Sequence, residues 1–202
     1  MPAARHAPRA VDVARRLHDL RGALPRRTMT RVLDKREPVE PATLRATMGA
    51  FATGVAIVTT ACDGEPHGMT VNSLTSVSLA PPQVLVCLTN GSRTADAVRR
   101  RGAFALHLLG QRQRALSDRF AGRGAAHFAG LDVTLDEDGM PLLAGGVGRL
   151  RCAVAQLHDG GDHAIVVGAV LACEPREGTP LVFHRGRYHE IHGEGHEAPW
   201  LW

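Results

Sequence analysis

The chain has few aromatic residues, few cysteines and no long apolar run, and each shortage excludes a class of protein. Of its 202 residues only 4% are aromatic, with one tyrosine and two tryptophans. No window approaches the roughly 20 consecutive apolar residues that a helix needs to cross a bilayer, so we predict no membrane-spanning segment. With 44% hydrophobic and 22% charged residues, the composition is typical of a single globular domain with a terminal extension.

The cysteines and histidines do not form a metal motif. The four cysteines are far apart and make no CxxC pair, which excludes the usual zinc and thioredoxin-like motifs. His189, His192 and His196 form an HxxHxxxH series, but they lie in a Gly- and Glu-rich tail without a helix to align them. We therefore predict no metal site and reduced, structural thiols.

Two common enzyme motifs are also missing. The nearest match to a GxGxxG dinucleotide fingerprint is AGGVGRL (144–150), which leads into a strand instead of a helix, so we interpret it as a turn. No GxSxG elbow is present, so a serine hydrolase triad cannot be argued from the order of residues. A Rossmann site is excluded.

The net charge of +4 is concentrated in a leading arm. Residues 1–40 contain ten basic and five acidic side chains, while the rest of the chain is close to neutral. A nucleic-acid-binding surface is expected on a folded face, so we interpret the arm as a solvated tail and predict no nucleic-acid partner. The arm lacks the apolar segment of a signal peptide, and its acidic residues argue against a transit peptide. We predict a cytoplasmic protein.

Hydrophobic periodicity predicts short strands separated by turns, with few helices. The predicted helices are VDVARRLHDLRG (11–22), PATLRATMGAF (41–51, closed by Gly54), RTADAVRRRG (93–102) and QRQRALSDRF (111–120). The predicted strands include VAIVTT, HGMTV, LTSVSL, QVLVCLT, FALHLL, RLRCAVAQLH, HAIVVGAVLAC and a closing pair around PLVFHRGRYHEI. This order favours an antiparallel, mainly β barrel or sandwich over βαβ units.

Three segments carry candidate binding chemistry. Ser92, Arg93 and Thr94 lie where a helix begins, so free amides, two hydroxyls and a guanidinium offer a phosphate site; simple capping by Ser92 is the alternative. The stretch HGMTVNSLTSVSLAPP (67–82) offers a row of donors and acceptors, or else is a polar exposed strand. His163 follows a Gly-Asp turn at the start of a strand, where an imidazole either contacts a ligand or is merely exposed.

Together these segments resemble the flavin reductase family, the short-chain NAD(P)H:flavin oxidoreductases of two-component monooxygenases. The matching pieces, in family order, are FATGVAIVTT, HGMTVNSLTSVSLAPPQVLVCL, SRTADAV, GAFALHLLGQRQRALSDRFAG, RCAVAQLHDGGDHAIVVGAV and PLVFHRGRYHEI. The resemblance implies a homodimeric, antiparallel Greek-key split β-barrel with a few peripheral helices at 40–192, binding FMN or FAD in a groove near the dimer interface. It leaves the arm 1–39 and the tail 193–202 unmatched.

The resemblance also implies a role for each matching residue. The flavin ring or ribityl chain would be bonded by Thr70, Asn72 and Ser73, and its pyrimidine edge would face the backbone around Ser76, Val77 and Ser78. The phosphate would be bound by Ser92, Arg93 and Thr94. His163 would lie at the reacting atoms and contact the nicotinamide or the flavin. Tyr188 would line the same pocket.

The predicted function is reduction of free FMN or FAD by NADH or NADPH, with hydride transfer to N5, to supply a flavin-dependent monooxygenase. Since the cofactors carry this chemistry and the protein orients them, the lack of an acid, base or nucleophile motif agrees with it. Two alternatives stay open. One is a flavoprotein of the same barrel that retains FMN and acts on another small molecule; the other is a non-catalytic flavin-binding or nucleic-acid-binding module.

Overall fold

The structure is a computed structural model that describes residues 38–191, except 123 and 125. The predicted arm helix 11–22, the tail 193–202, and His192 and His196 of the histidine series lie outside the described residues. The chain divides after Met48 into two units, and every strand described below lies in the second unit.

The described residues form three α-helices, one 3-10 turn and twelve strands. The helices are α1 (Pro41–Gly49), α2 (Arg93–Arg101) and α3 (Arg114–Ala121), with the 3-10 turn Gln111–Gln113 before α3. The strands are β1 (Thr53–Gly54), β2 (Ala56–Cys62), β3 (Glu65–Val71), β4 (Thr75–Leu79), β5 (Pro82–Thr89), β6 (Ala103–Leu108), β7 (Val133–Leu135), β8 (Pro141–Leu143), β9 (Gly148–Asp159), β10 (His163–Pro175), β11 (Val182–His184) and β12 (Arg187–His189). Within 38–191 no helix has the length and apolar character required to cross a membrane.

Seven strands form one antiparallel sheet in the order β3-β2-β6-β9-β10-β5-β4. A second sheet has the order β1-β11-β12, and β7 pairs with β8. The predicted mainly β, antiparallel split-barrel class is confirmed. In the long β9–β10 pair the register shifts at Val167/Gly168 and at Val170/Ala172, and such bulges bend strands and increase their twist.

The end predicted for α1 is wrong. We expected the helix to continue through Phe51 and to close at Gly54, but it ends at Gly49. Thr53 and Gly54 instead pair with β11, so their backbone groups are used by a sheet ladder. This pairing joins residues more than 120 positions apart, which the local pattern does not contain.

The apolar run at the start of β2 is explained by burial on both faces. Successive strand residues point to opposite sides of a sheet. Ala56 and Val58 belong to one core cluster, which also contains Val98 of α2, while Val55 and Ile57 belong to a second cluster with Phe120 of α3. β2 therefore needs apolar residues at consecutive positions, and α2 and α3 are fixed close to it.

The edge strand β3 is where the candidate site forms, because both helices approach it. A Cβ at Gly68 would lie only 2.7 Å from the Phe120 ring, so a glycine is required for α3 to pack this closely. On the same strand, the Thr70 hydroxyl donates to the Ser117 carbonyl of α3 at 2.7 Å.

Candidate functional site

A cavity of about 710 Å³ runs along β3, and we call it the β3 cavity. It is lined by residues 65–70 of β3, by 91–94 at the start of α2, by 120–122 at the end of α3, and by Gly124 and 126–129. The predicted phosphate residues and the first four residues of the Ser/Thr-rich stretch, 67–70, therefore line one space.

The start of α2 offers hydrogen-bond donors to this cavity. Ser92 has an extended conformation (φ −76°, ψ 142°), and its Oγ accepts from the Ala95 amide at 3.1 Å, which is an N-cap. The amides of Arg93 and Thr94 have no intrahelical acceptor at this end. The helix dipole adds partial positive charge, so an anion is favoured here.

The two side chains after the cap differ in their environment. Thr94 is buried, at 5% exposure. The Arg93 guanidinium donates to the Gly124 carbonyl on the opposite wall, so it lies across the β3 cavity. Its charge is one cause of the lowered pKa of His67, second to burial of that imidazole.

The Ser/Thr-rich stretch uses several of its hydroxyls inside the protein. Thr70 donates to Ser117, as described above, and Ser73 Oγ bonds both the carbonyl (3.1 Å) and the amide (3.0 Å) of Cys87. Ser78 Oγ accepts from the Ala80 amide at 3.2 Å. These bonds fix the segment between β3 and β5.

Of the residues in this stretch that the resemblance places at the flavin, Asn72, Ser76 and Val77 are exposed. Among the described residues, no hydrogen bond engages the side chains of Asn72 and Ser76, which leaves them free to contact a ligand. Neither these residues nor Ser73 and Ser78 line the β3 cavity, which ends on this strand at Thr70.

His163 lies beside the β3 cavity, without lining it. It pairs in register with Thr89, three residues before Ser92, and its Nε2 is 3.3 Å from Thr89 Oγ1. Its Nδ1 is 2.7 Å from a carboxylate oxygen of Asp162, and this hydrogen bond is the first cause of the lowered pKa of Asp162. Asn90, which follows Thr89, donates from its side-chain amide to the Gly161 carbonyl in the turn before His163, at 2.9 Å.

Tyr188 lies one hydrogen bond further from the cavity. Its hydroxyl is 2.9 Å from Ser117 Oγ, and the Ser117 carbonyl accepts from Thr70. Its ring packs against Phe183, with the Arg114 guanidinium 5.6 Å from the ring centre. Burial raises the pKa of Tyr188. The structure therefore connects Tyr188 to Thr70 without placing it in the cavity wall.

The cavity wall also contains residues that the sequence did not single out. The aromatic and imidazole side chains in this wall are those of His67, Phe120, His127 and Phe128. The two nitrogens of His127 lie 3.3 Å from the Gly68 carbonyl and 3.1 Å from that of Gly122. The signal available for His127 and Phe128 was their position after the Gly-containing segment 122–124, which by itself predicts no ligand.

Comparison with known proteins decides the family. A family model described as "flavin reductase like domain" matches residues 48–192. The chain belongs to this family. The chain is 40% identical over 166 residues to the flavin-dependent monooxygenase reductase subunit HsaB of Rhodococcus jostii (strain RHA1), which covers 81% of this chain and 85% of that protein.

A second relative and one solved structure bear on the flavin. The FMN reductase (NADH) SmoA of Agrobacterium fabrum is 43% identical over 144 residues, covering 71% of this chain and 82% of that protein. The NADH:FAD oxidoreductase SgcE6 of Streptomyces globisporus, solved in complex with NAD and FAD fragments, has a TM-score of 0.72 and 36% identity, covering 80% of this chain and all of that one. The resemblance seen in the motifs is confirmed.

The residues present in this flavin reductase family member fit a flavin phosphate. Free amides at Arg93 and Thr94, the start of a helix dipole and the Arg93 guanidinium meet at the wall of an open cavity. The Ser92 hydroxyl, by contrast, already accepts from the Ala95 amide at 3.1 Å and donates weakly to the Met69 sulfur at 3.8 Å.

Proposed function

We propose that this chain reduces free flavin with NADH and releases it to a flavin-dependent monooxygenase. The observation that carries the proposal is the β3 cavity, which joins an anion site at the start of α2 to Thr70, the first hydroxyl of the Ser/Thr-rich stretch. Relatives whose names describe an FMN reductase (NADH) and an NADH-dependent FAD reductase support the same activity.

The division of labour follows from the hydrogen bonds already made. Ser92, Arg93 and Thr94 bind the phosphate through backbone amides and side-chain donors. The Thr70 hydroxyl donates its hydrogen bond to the Ser117 carbonyl, so toward a flavin the Thr70 oxygen accepts from an N–H of the ring. Asn72, with a free amide, both donates and accepts.

The remaining ring contacts come from the strand after β3. Ser73 supports this segment through Cys87, so its contribution to a flavin is to hold the backbone in place. The backbone of Ser76, Val77 and Ser78 faces the pyrimidine edge. Tyr188 acts through Ser117 on Thr70.

The reaction needs orientation more than proton chemistry. The flavin supplies N5 as hydride acceptor, and the nicotinamide supplies the hydride from C4. The protein positions the two rings and excludes water, and His163, at the rim next to Thr89, contacts the nicotinamide or the flavin.

The test is NADH oxidation by the purified full chain, with FMN or FAD added in excess. We expect NADH consumption that requires added flavin, and reduced flavin that a separately added flavin-dependent monooxygenase can use. No oxidation above the protein-free rate with either flavin would overturn the proposal.

Equilibrium dialysis separates this function from its nearest alternative. An exchangeable flavin is expected for a reductase that supplies another enzyme. A flavin retained through dialysis, with NADH oxidation that requires a different small molecule, would favour a flavoprotein with tightly held FMN.

We also propose a homodimer, as the family resemblance implies. The support is the edge strand β4, where Val77 is 49% and Leu79 is 64% exposed. Exposed apolar residues beside unpaired backbone groups are suited to a protein interface.

A further inference from the structure

We propose that the end of the β3 cavity near Glu65 binds the adenylate half of FAD, which makes FAD the preferred flavin over FMN. This inference rests on the proposed function, because it assumes that the flavin phosphate lies at the start of α2. It assigns a second binding region, from Glu65 to His67 with His127 and Phe128, to a nucleoside monophosphate.

The β3 cavity extends along β3 past the start of α2. Ser92 lies beside Met69, with Ser92 Oγ 3.8 Å from the Met69 sulfur. The proposed contacts to the flavin ring begin at Thr70, directly after Met69, and continue in chain order to β4. The cavity also continues the other way, to Glu65. At about 3.4 Å per residue, Glu65 is about 14 Å from Met69. FMN ends at its phosphate, whereas FAD continues with a second phosphate, a ribose and adenine.

His67 offers a hydrogen-bonding group in the part of the cavity beyond the first phosphate. Alternate residues of a strand share a face, so His67 lies on the same side of β3 as Met69. His67 is half-buried and lines the cavity, and no hydrogen bond to another described residue engages its ring. An imidazole N–H can donate to a phosphate oxygen. His67 lies two residues beyond Met69 on β3, so it is placed to bind the second phosphate of FAD and not the first.

The charges around His67 also favour an anion. Arg93 and Arg100 of α2 lower the pKa of His67 after burial, while Glu65 and Asp63 act in the opposite direction. Asp63 is already paired with Arg100 at 2.8 Å. Arg93, which lines the same cavity as His67, therefore supplies positive charge to the region of His67 as well as to the first phosphate.

The cavity end near Glu65 offers surfaces on which a purine can stack. Phe128, His127 and Pro66 present flat, largely apolar surfaces there. Phe128 meets Phe120 edge to face at a centroid distance of 5.0 Å, which fixes its ring. A purine stacks well on such surfaces. Glu65 is exposed at the same end, and its carboxylate can accept from the adenine amino group.

There is also space for the adenosine. Pro66 and Phe128 line a neighbouring cavity of about 520 Å³ as well as the β3 cavity, so open volume continues past them. The rest of that second cavity is mainly apolar, with Leu131, Val133 and Leu135 on its wall. An adenosine bound at this end can therefore extend away from the flavin ring.

The test measures dissociation constants of FAD and FMN by equilibrium dialysis of the full chain without NADH. We expect FAD to bind at least tenfold more tightly, and AMP to displace FAD but not FMN. His67→Ala should weaken FAD about tenfold, the loss expected for one hydrogen bond to a charged group, and leave FMN within about twofold. His158→Ala, at an exposed histidine of β9, is the matched control and should change neither.

A second variant guards against misfolding. Phe128→Leu keeps apolar volume and removes the aromatic face, so it should weaken FAD and spare FMN. Equal affinities of the wild type for FAD and FMN, AMP that displaces both or neither, or a His67→Ala variant that changes both or neither would overturn the inference. With NADH oxidation intact, these results leave the proposed function standing; absence of NADH oxidation with either flavin overturns the proposed function instead.

Discussion

At the scale of single residues, His163 is the side chain with the most direct expected effect on the reaction. It is held between Thr89 and Asp162 at the rim, so its ring is oriented before any ligand arrives. His163→Ala should raise the KM for NADH several-fold more than it raises the dissociation constant of the flavin. His184→Ala, at a half-buried histidine of β11 away from the cavity, is the control. Unchanged steady-state kinetics of His163→Ala would remove this residue from the site.

His107 is buried in β6 and its neighbours determine which nitrogen carries the proton. Thr59 donates its one proton to the Pro141 carbonyl at 2.7 Å. The Thr59 oxygen, 2.9 Å from His107 Nε2, must therefore accept from an Nε2–H. Burial, followed by the charge of Arg149, lowers the pKa of His107 from 6.5 to about 3. The ring is neutral in the folded protein at neutral pH.

This burial makes the stability depend on pH. Between pH 6.5 and 3 the unfolded chain binds a proton at His107 that the folded chain does not, so the free energy of unfolding falls as the pH falls through this window. The expected loss at pH 5 relative to pH 7 is about 2 kcal/mol from this residue. Urea unfolding at both pH values, compared with His107→Gln, measures it, since glutamine keeps a donor for Thr59 without titrating. The same pH dependence in both proteins would contradict the assignment.

Sequence reasoning found the hydroxyl groups of the site but not the partners of those groups. Ser73 bonds Cys87, 14 residues away, and Thr70 bonds Ser117, 47 residues away. Such partners are set by strand pairing and helix docking, which local patterns do not encode. The same reason hid His67, whose significance depends on the approach of α2 to β3.

At the scale of elements, α2 combines a structural cap with a proposed binding role. Ser92 caps its start, and Gly102, with φ of 71°, closes its end through a bond to the Val98 carbonyl. Both boundaries were predicted from the residue types, because capping chemistry is local. The end of α1 was not, because a distant strand competes for Thr53 and Gly54.

Two substitutions at Ser92 separate capping from phosphate binding. Ser92→Ala should lower the free energy of unfolding by about 1 kcal/mol and weaken flavin binding. Ser92→Asp keeps a good cap, so stability should be retained, whereas its negative charge should repel the phosphate and raise the flavin dissociation constant more than tenfold. Thermal unfolding and flavin dialysis give the two readouts. Normal flavin binding by Ser92→Asp would place the phosphate elsewhere.

At the scale of the whole molecule, the two edges of the seven-stranded sheet differ. β3 is accompanied by α3, through the Thr70–Ser117 bond and the contact of Gly68 with Phe120. Among the described residues no strand pairs with the outer side of β4. The mainly β, antiparallel class could be predicted from the turn spacing, but which strand lies at the edge could not, since it depends on pairings such as β5 with β10.

The open edge leads to the last prediction, that β4 packs against a second copy of the chain. Wild-type protein should have twice the 21.6 kDa chain mass by size-exclusion chromatography with light scattering. Leu79→Glu should shift it toward the mass of one chain, because a carboxylate buried in an apolar interface is costly. Leu157→Glu, at a 42% exposed leucine of β9, is the control and should not. Since Val77 is proposed to lie beside both the flavin and this edge, the Leu79→Glu monomer should also bind flavin more weakly. A wild type with the mass of one chain, or a Leu79→Glu variant that remains a dimer, would contradict this interface.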